Sequence, residues 1–248
     1  MTGSFDDDGF AVLPALLSDA ELARIDAALA RRSEVGSRDL LDEPWCAALA
    51  SRIRDDVRLT AALARTHVAV QCTSFEKSVE RNWLVPVHQD VAIPVAARFE
   101  HPALSGWSNK SGTWFVHPPV DVLEQLVAVR VHIDDCGVED GALKVVAGSH
   151  RHGRLADADA IALRDAVGTV ACLVPRGGAM LLRPLLLHAS SKATGASRRR
   201  VLHFLFGPQV LPCGLRWAAI SPPSPAAAVA VSRRVASMPA PGRTRPAS

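Results

Sequence analysis

The sequence lacks any apolar run long enough to cross a lipid bilayer. Its longest candidates, Leu181–Leu187 and Ala226–Val231, are short, whereas a membrane-spanning helix needs roughly 20 apolar residues. The N-terminus carries the acidic residues Asp6–Asp8 in place of the basic and apolar regions of a signal peptide. We therefore expect a cytoplasmic protein that does not act in a membrane.

Paired cysteines and a strong net charge are also missing. The five cysteines form no CxxC pair, and their odd number and wide spacing argue against a zinc site or a disulfide framework. The formal net charge is only +3, and the basic residues are scattered along the chain apart from Arg198–Arg200. The charge pattern therefore gives no reason to expect a nucleic-acid partner. The sequence contains no tyrosine at all.

The composition is that of a globular domain. Apolar residues make up 48% of the 248 residues and charged residues 21%. From about residue 221 the chain becomes rich in proline, alanine and arginine, a composition that buries little surface. We therefore expect a single domain over residues 1–217 and a disordered tail over residues 218–248.

The N-terminal part of the domain has helical patterns. Ser18 and Glu21 have the spacing of a capping box, and apolar residues recur on one helical face after them. Two further helices are predicted over Pro44–Arg54 and Asp55–Arg65. These segments predict a group of helices that precedes the rest of the domain.

From residue 67 onward, short β-rich runs alternate with turn residues. The predicted strands are His67–Glu76, Leu126–Asp134, Leu143–Val146, Thr169–Val174, Ala179–Leu187 and Arg199–Phe206. Many short strands after a helical region indicate an α+β fold, in which N-terminal helices buttress a jelly-roll core. In one predicted strand Arg130 and His132 share a polar face, and alternation alone leaves open whether this face meets solvent or lines a cavity.

The first chemical signal is the pair His88 and Asp90. In an extended segment these side chains project to the same side, so both can bind one metal ion. His188, which lies 100 residues later after a strand-like run, is the best candidate for a third ligand. Two histidines and one carboxylate leave three coordination positions open, as in non-haem Fe(II) oxygenases.

An arginine follows at a suggestive position. Arg199 opens a strand-like run, and its guanidinium fork matches a carboxylate group. Taken singly, each feature has an ordinary explanation, because most HxD tripeptides bind nothing and Arg198–Arg200 resembles a solvated basic loop. Their combination and their surroundings favour a functional site.

Four separated blocks, in order over about Phe10–Pro208, resemble the phytanoyl-CoA dioxygenase family. The matching segments are Phe75–Lys77 with Asn82–Asp90, Val129–Cys136 with Asp140–Leu143 and Gly148–His150, Arg183–Ser191, and Arg199–His203. The resemblance implies a double-stranded β-helix, a cupin-like jelly roll, that binds Fe(II) and uses 2-oxoglutarate and O₂.

The resemblance also assigns site residues. It implies that His88, Asp90 and His188 are the metal ligands. It implies that Arg199 pairs with the C5 carboxylate of 2-oxoglutarate, or Arg200 if the register is shifted by one residue. The other residues that match family positions near the pocket are Lys77, Trp83, Gln89 and Ser190.

The implied activity is hydroxylation of a small organic substrate, with decarboxylation of 2-oxoglutarate to succinate. The presence of Asp90 favours hydroxylation or desaturation over halogenation, in which a halide takes the place of the carboxylate. The chain departs from the family in having Val87 where relatives often carry an aromatic residue, and in lacking tyrosine, which often helps to hold 2-oxoglutarate. The segment Lys110–His117 is predicted to be a substrate-facing loop.

A second hypothesis is a non-oxidative metal-binding jelly roll, either a sensor or a cupin-like isomerase. Such a protein would keep the three ligands but would not need Arg199 to face the metal. A third hypothesis, a domain whose site has decayed, fits poorly with an intact ligand set. Because the fold does not determine the substrate, the sequence predicts only that the substrate is a small molecule and does not identify it.

Overall fold

The computed structural model describes residues 4–31 and 40–221, which form five α-helices and twelve β-strands. The helices are α1 (Phe5–Asp8), α2 (Asp19–Leu29), α3 (Pro44–Arg54), α4 (Val120–Glu124) and α5 (Asp157–Val167). The strands are β1 (Phe10–Leu13), β2 (His67–Lys77), β3 (Val85–His88), β4 (Ile93–Val95), β5 (Ser105–Lys110), β6 (Thr113–His117), β7 (Val127–His132), β8 (Leu143–Val145), β9 (Val170–Cys172), β10 (Ala179–Leu182), β11 (His188–Ser190) and β12 (Arg199–Pro208). They form antiparallel sheets, which confirms the predicted α+β class.

The capping box that begins α2 forms as predicted. The Ser18 hydroxyl accepts a hydrogen bond from the Glu21 amide, and the Glu21 carboxylate accepts one from the Ser18 amide at 2.8 Å. Leu22 and Ile25 are buried on the inner face of the helix. Helix α3 covers Pro44–Arg54 as predicted, with proline in the first turn, where its missing amide hydrogen costs nothing.

The predicted third helix over Asp55–Arg65 is wrong, because only a short 3₁₀ turn forms at Val57–Leu59. Asp56 provides the physical reason. Its carboxylate accepts hydrogen bonds from both the backbone amide and the guanidinium of Arg58. Such local bonds give the chain an alternative to α-helical hydrogen bonding.

A five-stranded sheet with the order β1-β10-β7-β12-β2 forms the centre of the fold. On one face Val129 of β7 and Phe204 of β12 are fully buried in one apolar cluster with Ile25 of α2 and Ile53 of α3. This cluster confirms that the N-terminal helices buttress the β core. Because side chains alternate along a strand, residues such as Arg130 of β7 and Arg199 of β12 point to the opposite face.

The opposite face meets two smaller sheets. Their strand orders are β3-β11-β8-β9 and β4-β6-β5. A second apolar cluster contains Val70 of β2, Met180 of β10, Val145 of β8 and Val116 of β6, so it joins all three sheets. The two larger sheets therefore share a core, as in the predicted double-stranded β-helix.

Two predicted boundaries need correction. The predicted strand Ala179–Leu187 ends at Leu182, and the next strand begins only at His188 in a different sheet. Pro184 explains the break, since it has no amide hydrogen to donate to a sheet ladder. The segment Lys110–His117, predicted as a loop, contributes to the hairpin of β5 and β6.

Within the described ranges, no helix is both long and apolar enough to cross a membrane. After β12 the chain returns to β2, where the Ser221 amide donates to the Ala69 carbonyl at 2.8 Å. The Ser221 hydroxyl in turn accepts a hydrogen bond from the Ala69 amide. The chain thus stays packed beyond the domain boundary predicted at residue 217, and the rest of the predicted tail, 222–248, lies outside the described residues.

Candidate metal centre

The side chains of His88 and Asp90 meet that of His188, 100 residues after His88, at the edge of the four-stranded sheet. His88 ends β3, His188 begins β11, and the two are cross-strand partners with ring centroids 4.2 Å apart. Asp90 has one carboxylate oxygen 3.7 Å from His88 Nε2 and the other 3.7 Å from His188 Nε2. One ligand atom from each residue lies within 4.8 Å of the other two. A single ion placed among them can contact all three.

Backbone carbonyl groups orient both imidazole rings. His88 Nδ1 lies 2.9 Å from the Pro86 carbonyl oxygen, and His188 Nδ1 lies 2.9 Å from the Leu186 carbonyl oxygen. A carbonyl oxygen can only accept, so each Nδ1 carries the hydrogen. In the neutral ring, Nε2 then keeps its lone pair and faces the shared space, which is the arrangement of a metal-binding histidine.

The protonation states also suit metal binding. Burial lowers the pKa of His188 below its ordinary value. Burial alone would raise the pKa of Asp90, but attraction to the neighbouring imidazoles, led by His188, lowers it overall. Near pH 7 the carboxylate is therefore ionised and the His188 imidazole is neutral, as metal ligands must be.

Two buried cations lie side by side on the five-stranded sheet. Lys77 of β2 and Arg199 of β12 are cross-strand partners. Lys77 Nζ donates to the Ser190 hydroxyl at 2.8 Å and to the Ser191 carbonyl at 2.7 Å. Arg199 Nη1 donates to the Gly141 carbonyl at 2.6 Å, whereas its buried Nε has no partner among the described residues. Burial, with repulsion from Arg199, lowers the pKa of Lys77 to about 8.

Arg200 points to the other face of β12. Its guanidinium donates to the Asp134 carboxylate at 2.7 Å and pairs with Asp26 of α2. These contacts hold the N-terminal helix against the sheet. Arg199 therefore lies on the side of the candidate metal ligands, whereas Arg200 lies on the other side of the sheet.

A cavity of about 480 Å³ connects these groups. Its lining includes all the residues predicted for the site, namely His88, Asp90, His188, Arg199, Lys77, Trp83, Gln89 and Ser190. Aromatic and aliphatic side chains, among them Phe75, Phe115 and Leu205, complete the wall. The cavity thus combines a cationic region, the candidate metal site and an apolar surface.

Gln89 and Trp83 differ from the other predicted site residues in their contacts. The Gln89 side-chain amide donates to the Gly153 and Leu185 carbonyls at 2.8 and 2.7 Å, and its oxygen accepts from the Leu155 amide at 2.9 Å. Gln89 therefore ties the segment between the two metal-ligand candidates to neighbouring loops. The Trp83 ring is 39% exposed and lies 5.5 Å from Lys77 Nζ in a cation–π contact.

Two of the lining residues that were not predicted for the site lie side by side. Arg130 of β7 and His203 of β12 are cross-strand partners, and Arg130 Nη1 lies 3.1 Å from His203 Nδ1. The sequence alone leaves the polar face of β7 open between solvent and a cavity, and it favours a polar or packing role for His203 over a metal ligand. In the run Arg199–Phe206, alternation predicts that His203 shares a face with Arg199, and this pattern is the signal that could have assigned His203 to the site.

Comparisons with known proteins agree with this architecture. The family model described as phytanoyl-CoA dioxygenase (PhyH) matches residues 5–201, whereas no curated protein sequence matches significantly. A solved structure of HygX from Streptomyces hygroscopicus with nickel and 2-oxoglutarate bound is 20% identical, with 84% of this chain and 85% of that chain covered at a TM-score of 0.59.

Two further solved structures have the same fold. EctD from S. alaskensis in its apoform is 17% identical, with 82% of this chain and 74% of that chain covered at a TM-score of 0.59. SnoK, described as a non-heme alpha ketoglutarate dependent carbocyclase from nogalamycin biosynthesis, is 16% identical, with coverages of 82% and 81% and a TM-score of 0.53. Because the family model spans most of the sequence, the chain belongs to the phytanoyl-CoA dioxygenase family.

Proposed function

We propose that this chain is an Fe(II)- and 2-oxoglutarate-dependent oxygenase that hydroxylates a small organic substrate and converts 2-oxoglutarate to succinate. The observation that carries the proposal is one cavity that holds a two-histidine, one-carboxylate set together with two adjacent buried cations. Family membership supports it. So do two HygX structures, one with nickel and 2-oxoglutarate bound and one with iron bound.

The ligand set fits a divalent iron ion. His88 and His188 would each offer Nε2, and Asp90 would offer a carboxylate oxygen. The Pro86 and Leu186 carbonyl groups accept the Nδ1 hydrogens, which holds both rings in place and makes Nε2 more basic. Two imidazoles and one carboxylate leave positions for further ligands, as a non-haem iron oxygenase needs.

The adjacent cations fit the distal carboxylate of 2-oxoglutarate. Arg199 has a buried Nε without a partner among the described residues, and a guanidinium fork binds a carboxylate with two parallel hydrogen bonds. Lys77 uses two of its three hydrogens on Ser190 and Ser191, so one remains for a ligand. Ser190 orients the Lys77 ammonium and lines the same cavity.

When bound, the iron and 2-oxoglutarate supply the activation of O₂ and the oxidising equivalents. The chain contributes position and exclusion of water. Asp90, held by its amide hydrogen bond to the Pro184 carbonyl at 2.9 Å, fixes one side of the ligand set. Phe75, Phe115 and Leu205 form an apolar wall that limits water near the reacting atoms.

The alternative of a non-oxidative metal-binding jelly roll predicts no role for a cation facing the metal. Arg199 is only 4% exposed and lines the cavity, which favours the oxygenase. Hydroxylation itself needs a product assay, since SnoK is described as a carbocyclase and SnoN as an epimerase.

Anaerobic titration with Fe(II) and 2-oxoglutarate should produce the visible charge-transfer absorption of an iron–keto acid complex. On admission of O₂, succinate should form above the level of an iron-free control, even without substrate. Asp90→Ala should abolish both signals, whereas Asp159→Asn, an exposed carboxylate on α5, should leave them unchanged. A wild-type protein that binds neither iron nor 2-oxoglutarate would refute the proposal, and incorporation of one oxygen atom into a turned-over substrate would identify a hydroxylase.

A further inference from the structure

The cavity carries more positive charge than its proposed cofactors would neutralise. Among the described residues, its charged lining consists of the buried cations Lys77, Arg130 and Arg199 and the exposed Lys110, against the one carboxylate of Asp90. Fe(II) brings two positive charges and 2-oxoglutarate brings two negative charges, so loading the site leaves this excess unchanged. Because an unbalanced buried charge is costly, a further anionic group is expected in the complete complex.

Arg130 is the buried cation of the cavity to which the proposed function assigns no anionic partner. It is 9% exposed, and no carboxylate of the described residues lies within 4.0 Å of it. The carboxylate that attracts it at longer range is Asp90, which the proposed function assigns to the metal. The contacts of Arg130 are the His203 Nδ1 atom at 3.1 Å and the face of the Phe75 ring, whose centroid lies 5.4 Å away. Arginine can only donate, so His203 Nδ1 accepts. Burial lowers the pKa of His203 to about 3, and this partner is neutral at pH 7.

The carboxylates of 2-oxoglutarate do not account for Arg130. Under the proposed function, one carboxylate lies at the metal and the other at Arg199 and Lys77. Arg130 of β7 pairs with His203 of β12, which lies four residues along that strand from Arg199, so the two arginines enter the cavity wall at different points. Arg130 remains available to a second ligand in the same cavity.

We propose that Arg130 binds a carboxylate or phosphate group of the primary substrate, which is therefore a small organic anion. This inference rests on the proposed function and adds the substrate class to it. The rest of the substrate meets Phe75, Phe115 and Leu205, so its body is apolar. Arg130 acts here as a substrate-binding residue that selects charge.

The test uses protein loaded anaerobically with Fe(II) and saturating 2-oxoglutarate, and calorimetric titration with three probes: phenylacetate, phenyl phosphate and the uncharged phenylacetamide. At least one anion should bind about tenfold or more tightly than the amide, as a charge-assisted hydrogen bond requires. The preferred anion identifies the head group as carboxylate or phosphate. Arg130→Gln should remove the preference, Arg130→Lys should retain part of it, and Arg164→Gln on α5 should retain all of it.

The charge-transfer absorption of the iron–2-oxoglutarate complex, recorded on the same samples, separates the possible failures. A wild-type protein that forms the complex but binds no anion, or binds the amide as tightly, refutes this inference alone. An Arg130→Gln variant that keeps the anion preference but binds 2-oxoglutarate tenfold more weakly assigns Arg130 to the cosubstrate and also refutes it. A wild-type protein that never forms the complex refutes the proposed function and with it this inference.

Discussion

Replacing Arg199 with glutamine should separate cosubstrate binding from the stability of the apoprotein. Arg199 is 4% exposed, donates to the Gly141 carbonyl, and leaves its buried Nε without a partner among the described residues. Glutamine can keep the bond to Gly141 but removes the charge and the fork. The variant should therefore bind 2-oxoglutarate weakly. Its apoprotein should be more stable than the wild type, because it no longer buries a cation whose Nε has no partner among the described residues.

Two hydrogen bonds to a charged carboxylate contribute roughly 1.5–3 kcal/mol each, and allowing for non-additivity we expect a loss of about 3 kcal/mol. This corresponds to a Kd for 2-oxoglutarate about 100-fold higher. In the apoprotein, relief of the unpaired group should raise the free energy of unfolding by about 1 kcal/mol, or the melting temperature by about 2–4 °C. The Kd follows from anaerobic titration with Fe(II), and the melting temperature from calorimetry without ligands.

The neighbouring Arg200 supplies a matched control. Arg200→Gln removes the same charge from the next residue, but it breaks the pairs with Asp134 and Asp26 on the other face of β12. This variant should be less stable than the wild type and bind 2-oxoglutarate with unchanged affinity. If Arg199→Gln binds 2-oxoglutarate within about threefold of the wild type, or if Arg200→Gln weakens it equally, the assignment of Arg199 is refuted.

Three further predictions concern stability. Ile53→Ala empties a fully buried position under the five-stranded sheet and should cost about 2–4 kcal/mol in urea unfolding, with the 2-oxoglutarate Kd unchanged; a smaller loss would mean that α3 does not support the sheet. Ser18→Ala removes the capping box of α2 and should cost about 1 kcal/mol, whereas Thr at this position should restore most of it. Burial lowers the pKa of His132 to about 3 from an ordinary 6.5, so the unfolded chain binds a proton that the folded chain does not, and stability falls as pH falls below 6.5. Between pH 7 and pH 5, His132→Leu should lose about 2 kcal/mol less of its free energy of unfolding than the wild type. Urea unfolding at both pH values measures this, and an equal loss in the two proteins would contradict it.

The elements that the sequence predicted well have strong local signals. The capping box at Ser18 begins α2, and the alternation in Arg199–Phe206 corresponds to most of β12. Strand β5, Ser105–Lys110, contains serine, glycine, asparagine and lysine, which have low strand propensity. It is a strand because it pairs with β6, and such tertiary pairing has no signature in a short window of sequence.

The residues of the candidate site also fall into those that a local sequence pattern predicts and those that only tertiary packing brings to the site. The spacing of His88 and Asp90 predicted that they share one side of an extended segment, and the structure brings His188 to them. Arg130 also had the correct alternation, but periodicity tells only which residues share a face. Whether that face meets solvent or a cavity depends on the second sheet packed over it, and that sheet is built from strands that lie both before and after β7 in the chain.

The turn between β10 and β11 contributes to the geometry of all three candidate metal ligands. Its Pro184 carbonyl accepts the Asp90 amide hydrogen, and its Leu185 carbonyl accepts from the Gln89 side chain. The same turn ends at His188, whose register against His88 is therefore fixed by the length of the turn. Because strand side chains alternate, a shift of one residue would turn the His188 ring away from Asp90. The break at Pro184, which ends the predicted strand early, thus helps His188 to meet Asp90, a carboxylate 98 residues earlier in the chain.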